Sequence, residues 1–166
     1  MTISEILLAD FDCEIASTRT LLSRIPESDP QWKPHEKSMP IGRLALHVAR
    51  LSDFCTRILT TDELNFANEK FPPIVFESTA HLLTELDRSS AAARNHLAAA
   101  SDEFLHTHWK LTFGDRVIVD SPRMLLYRTM FLNHLVHHRG QLTVYLRLLD
   151  VPVPGLYGPS ADEPFS

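Results

Sequence analysis

Cysteine is scarce in this chain of 166 residues, with Cys13 and Cys55 its two thiols. Neither has a CxxC partner, and two cysteines cannot build a disulfide framework. Reduced thiols at the edge of a core, in a cytoplasmic protein, are expected. No apolar run approaches the roughly 18 residues that a membrane span needs. The opening Met1-Thr2-Ile3-Ser4-Glu5 lacks the basic region of a secretory signal, so no targeting segment is expected. Positive charge is not in excess either. Sixteen Lys and Arg against 21 Asp and Glu leave a net charge of −5, which argues against a nucleic-acid-binding surface. GxGxxG, P-loop, GxSxG and HExxH signatures are also missing. What the chain does have is histidine, nine in all. Its 44% hydrophobic and 22% charged fractions are those of a soluble globular protein. Its length is that of about one domain, taken as residues 1–166.

Four segments carry helical periodicity. In the first, from about Thr2 to Arg24, the residues Leu7, Phe11, Ile15, Thr18, Leu22 and Ile25 form one apolar stripe behind a Thr2-x-x-Glu5 capping box. Pro26 and Pro30 stop it. The second follows Ser38-Met39-Pro40, runs to about Thr60, and turns Leu44, His47, Leu51, Phe54 and Ile58 inward. The stretch to Pro72-Pro73 reads as a long connection. The third spans about Ser78 to Asp102, and its alanines permit close approach of a neighbour. Trp109–Phe113 and Arg116–Val119 around Gly114-Asp115 read as a short β-hairpin. Ser121 as N-cap and Pro122 at the first turn then open a fourth helix that runs to about Asp150. An all-α fold of four helices with long connections is expected.

Residues four apart on a helix differ by about 40° and share a face. His134 and His138 form such a pair among Phe131, Leu135, Leu142, Tyr145 and Leu149, so both rings point inward. His47 lies likewise between Leu44 and Leu51. Three inward imidazoles from two helices can surround one divalent ion, whereas a lone His47 is read more readily as a core histidine bonded to a carbonyl. Each ring's second nitrogen then needs an acceptor, for which a backbone carbonyl, Gln141 and Asn133 are candidates. The other histidines fit less well. His137 falls at the stripe's edge, His35 sits in a loop that could overhang the site, and His81, His96, His106 and His108 read as surface residues. Glu103-x-x-His106 is half of a di-iron carboxylate signature whose second copy is missing. Cys55 lies too far along the helix from His47 to be a fourth ligand. Cys13 falls off its helix's stripe, and Arg139 is expected to face solvent or an ion pair.

At Asn133-His134-Leu135-Val136-His137-His138-Arg139-Gly140-Gln141-Leu142 the sequence resembles the DinB (YfiT-like) superfamily of metal-dependent enzymes. Leu44–Ala49, the Trp32…Ser38 loop, Trp109–Pro122 and the Val151–Gly158 tail resemble other parts of the same pattern. The resemblance implies a four-helix bundle in up-down-down-up order, often a homodimer, and a metal site carried over onto His47, His134 and His138. It also implies nickel, zinc or iron as the divalent ion. Some members are thiol transferases or isomerases that use a low-molecular-weight thiol such as bacillithiol, mycothiol or glutathione.

Three histidines leave coordination positions open, the pattern of a catalytic site. Bound metal can ionise a water for hydrolysis or hold a thiol as thiolate for attack on a small-molecule substrate. No inward Glu or Asp stands out as a general base, which favours the thiol version. A non-catalytic metal-binding bundle with a structural, storage or sensing role is the alternative. An interaction protein with merely packed histidines is the third.

Overall fold

The computed structural model describes residues 1–71 and 73–164. Pro72, part of the expected long connection, lies outside the described residues. Helix α1 (Ile3–Leu22) begins at the anticipated capping box. The Glu5 N–H donates to Thr2 Oγ1 at 3.2 Å, and the Thr2 N–H donates to Glu5 Oε2 at 2.7 Å. A cap of this kind contributes about 1 kcal/mol. Leu7, Phe11, Thr18 and Leu22 of the predicted stripe are buried.

Helix α2 (Ile41–Thr60) starts at Pro40, as expected. A Cβ on Gly42 would lie 2.7 Å from the Phe76 Cβ and 2.9 Å from the Pro30 Cβ. Glycine is thus what lets the α2–α3 connection fold Phe76 onto the first turn of α2. Helix α3 (Thr79–Ala99) is capped by Ser78, whose hydroxyl accepts from the His81 N–H at 3.0 Å. Small side chains let α2 and α3 approach: Ala45, Ala49, Ser89 and Ala93 are all buried, and Ser89 Oγ donates to the Ala49 carbonyl at 2.7 Å. The expected third helix is interrupted at Ala100. A separate short helix, α4 (Asp102–His106), follows with Ser101 as its cap.

The hairpin is present and larger than predicted. β2 (His108–Phe113) pairs antiparallel with β3 (Arg116–Pro122) around Gly114-Asp115, with Gly114 at φ 58°. A third strand, β1 (Glu63–Asn65), adds parallel to β2 from within the α2–α3 connection. The fold is therefore mostly helical with a small three-stranded sheet, rather than all-α with a lone hairpin. Under the sheet, Trp109, Leu64 and Leu111 pack on Ile58 and Leu126 as a second apolar cluster.

Ser121 and Pro122 are not a helix start with a side-chain cap. Both belong to β3, and no side-chain hydrogen bond caps α5 (Arg123–Leu126). Ladder pairing of Trp109 with Ser121 and of His108 with Pro122 outweighs the local capping preference. Helical dihedrals continue through a π-helical segment (Tyr127–Leu132) into α6 (Asn133–Leu148). In the π segment the Asn133 N–H reaches the Arg128 carbonyl, five residues back. Buried Arg123 anchors this helix to the end of α2. It donates to the Ile58 and Thr61 carbonyls, the latter at 2.7 Å, and so satisfies acceptors that a helix end leaves open. The main core lies where α1, α2, α3 and α6 meet, around Phe11, Leu44, Leu86, Phe131, Leu135 and Leu142.

Candidate metal centre

His47 reaches the site from the middle of α2, where buried Leu44 and Leu51 seat that face on the core. His134 and His138 reach it from the first two turns of α6, where Leu135 and Leu142 are the buried anchors. All three predicted ligands are brought together, one donor nitrogen from each lying within 4.8 Å of the others. The Nε2 atoms are 2.8 Å apart between His134 and His138 and 3.5 Å apart between His47 and His134. Adjacent ligands on a tetrahedral ion with bonds of about 2.0–2.1 Å lie about 3.3 Å apart, so the spacing suits a metal ion.

The hydrogen bonds on the far side of each ring sharpen that fit. His138 Nδ1 lies 2.7 Å from Gln141 Oε1, and His134 Nδ1 lies 3.3 Å from the Met130 carbonyl. Both partners are acceptors, so both Nδ1 atoms carry the proton in the neutral rings and both Nε2 atoms present lone pairs. Two lone pairs facing each other at 2.8 Å call for a positive charge between them. A proton is a poor candidate. Burial first, and then the neighbouring rings and Arg43, push the His47 pKa down to about 4. Burial lowers His134 and His138 too, against the opposing hydrogen bonds from Met130 and Gln141. A divalent ion meets the same need without protonating a buried ring. Of the acceptors considered from sequence, Gln141 and a backbone carbonyl are used, while Asn133 is exposed.

His47 and His134 also form part of the wall of a cavity of about 850 Å³ between α2, α3, the α2–α3 connection and the last helix from Met130 to His134. Leu51, Phe54, Leu64, Phe66, Phe71, Ile74 and Met130 are its apolar lining. Sequence reading placed Phe54 on a core face and treated the connection as a link. The signal was present, because Phe66, Phe71, Ile74 and Val75 are unusually apolar for an irregular segment.

The family model for the DinB family matches residues 6–164. The chain belongs to the DinB family. YrdA of Bacillus subtilis strain 168 is 28% identical over 164 residues, covering 94% of this chain and 89% of that protein. A DinB-like protein from Bacillus cereus ATCC 10987 shares the fold at a TM-score of 0.70 and 24% identity, over 92% of this chain and 97% of the other. A DinB family member from Exiguobacterium sibiricum 255-15 does so at 0.63 and 23%, over 90% and 93%.

In this DinB chain the other six histidines stay out of the cluster. His35, His96, His106, His108 and His137 are exposed, and His108 bonds Asp120 at 2.7 Å. His81 is half-buried rather than solvated, with Nδ1 3.8 Å from Glu77. Cys13 is exposed and Cys55 is buried, where burial pushes its thiol pKa up. Neither joins the three rings, and neither sits at a core edge as expected. Arg139, next to His138 in sequence, points away from the site. It is 1% exposed and donates to Glu14, the Thr18 hydroxyl and Tyr157, so the arginine of the HxxxHRGQ stretch ties α6 to α1 and the C-terminal tail.

Proposed function

We propose that this DinB protein is a metal-dependent enzyme whose divalent ion is held by His47, His134 and His138. The observation that carries the reading is the pair of facing lone pairs at the edge of an 850 Å³ cavity. A buried structural site would have no use for such an opening. When bound, the ion supplies Lewis acidity and lowers the pKa of a coordinating thiol or water. Nickel, zinc and iron all suit imidazole ligands.

Within this reading, transfer or isomerisation by a low-molecular-weight thiol is preferred to hydrolysis. A free base beside the substrate would assist hydrolysis, and the carboxylates of the cavity wall are committed. Glu85 receives Arg50 at 2.6 Å and Arg88 at 3.3 Å, and Asp53 receives Arg88 at 2.7 Å. Burial acts to raise the Glu85 pKa, yet hydrogen bonds and charges from Arg88 and Arg50 outweigh it and keep it below the usual glutamate value. In the thiol reaction sulfur forms a bond to an electrophilic carbon while the leaving group departs with its electron pair, and the thiol proton passes to solvent. Gln141 and the Met130 carbonyl hold two of the rings in one tautomer throughout. A single-domain four-helix bundle in up-down-down-up order, cytoplasmic and homodimeric, belongs to the same proposal.

The first test is metal analysis of untagged protein, with one ion per chain expected and none refuting the reading. Metal-loaded protein is then assayed with several thiols and a model electrophile. Rates unchanged in His47→Ala and His138→Ala would exclude the metal as catalyst. A large chelator-induced loss of stability with no exchangeable ligand at the ion would favour a structural role instead.

A further inference from the structure

The charge inventory of the cavity says what kind of molecule it takes. Each charged residue in its described wall is already paired: Arg50 with Glu85, Arg88 with Asp53 and Glu85, and Arg57 with Glu69 at 3.3 Å. Guanidinium and carboxylate groups paired in this way offer an ionic ligand no free partner along the wall, and breaking them open leaves a partner unpaired. Thr56 aside, the remaining surface is apolar, with three phenylalanines among its aliphatic side chains. Phe54 lies 6.4 Å from Phe66, and Phe66 lies 5.6 Å from Phe71 edge to face, a continuous aromatic run from α2 across the connection to the rim. Among the lining residues Phe71 is 61% exposed and Ile74 37%, so the apolar surface continues out to solvent. The polar groups in need of a partner lie at one end, where His47 and His134 enter the wall.

We infer that this cavity takes the electrophilic substrate, and that this substrate is an apolar molecule, aromatic or acyl in character, polar at one end only, with that end turned to His47 and His134. The inference rests on the metal-site reading for the direction of the polar end. The volume is that of a drug-sized ligand. A thiol co-substrate therefore meets the ion at the polar end only, since carboxylates or sugar hydroxyls laid against this wall would be desolvated without partners.

A series of straight-chain hydroxamic acids, from acetyl to octanoyl, separates the claims, because the head group binds metal and the tail samples the cavity. Binding is measured calorimetrically on full-length metal-loaded and chelator-treated protein. Affinity should rise about threefold to fourfold per methylene over the first several carbons. A tail of equal length ending in a carboxylate should lose that gain. Ile74→Trp, which fills the cavity from the connection, should abolish the gain for octanoyl hydroxamate and leave acetohydroxamate unaffected. Tight acetohydroxamate binding with no dependence on tail length overturns the cavity inference and leaves the metal site standing. Acetohydroxamate that binds no better to metal-loaded than to chelator-treated protein overturns the metal reading, while the tail increment on chelator-treated protein still decides the cavity. Stronger binding of the carboxylate-ended tail overturns the one-ended polarity.

Discussion

Replacing Gln141 with leucine removes the acceptor from one ring of the candidate metal centre and leaves the ring itself. In the native chain Gln141 Oε1 lies 2.7 Å from His138 Nδ1, which keeps the proton there and the Nε2 lone pair toward His134. Outer hydrogen bonds of this type are worth about 10–100-fold in metal affinity, which is about 1.4–2.7 kcal/mol. Two observations place Gln141 near the lower limit. Its side chain is exposed, so water takes the place of the lost oxygen, and His134 keeps its separate bond to the Met130 carbonyl. The expected loss is about tenfold. Competition against a chromophoric chelator at pH 7.5, with untagged protein and zinc or nickel, measures it directly. A melting curve checks that the fold is intact. Gln141→Glu should shift affinity the other way, because an ionised acceptor makes the ring a better donor to the metal. Equal affinities for the leucine and native proteins within twofold, or a glutamate variant weaker than the leucine one, would refute this account of how the rings are held.

The ion pair behind the site is testable by stability alone. Arg139→Met should cost about 3 kcal/mol in urea unfolding, because it removes the cation beside Glu14 and leaves the carboxylate with the Tyr157 hydroxyl alone; Arg139→Met with Glu14→Leu should recover most of that. A single-variant loss below about 1 kcal/mol would contradict the structural role given to Arg139. Chelator-treated protein should lose stability as pH falls from about 6.5 toward 4. In that window the unfolded chain binds protons at His47, His134 and His138 that the folded chain refuses, so stability is fully present above it. Melting temperatures from pH 7.5 to 4.5 should show the slope, and His47→Asn should flatten it. An unchanged slope in that variant would show that His47 titrates normally.

The convergence of His47, His134 and His138 was legible because helical phase is a local property. His134 and His138 both lie after the π-helical segment, so their four-residue spacing is an α-helical spacing and the wide turns do not disturb it. The same segment was invisible, because a change from four-residue to five-residue bonding leaves no mark in a pattern of apolar residues. The start of the last helix was misplaced for a different reason. Ser121-Pro122 carries a strong local capping preference, and the register with His108 and Trp109 that overrides it is a long-range pairing. Strand β1, three residues inside a connection, is set by β2 some 47 positions later, from Glu63 to Lys110. Arg123 and Arg139 were not read as buried, since their partners on α1, α2 and the tail come together only in the folded chain.

The two halves of the candidate site stand on stretches of chain with different freedom to vary. His47, His134 and His138 project from helix faces that are themselves seated on the core, so no ring can be moved without repacking Leu44, Leu51, Leu135 or Leu142. Phe66, Phe71 and Ile74 stand on an irregular connection held by a three-residue strand and by Phe76 against Gly42. Insertions or exchanges in that connection would reshape what the cavity admits without touching the ligands. On the proposed reading, reactivity and substrate range would thus be separately inherited traits, and a descendant could change its diet while keeping its chemistry.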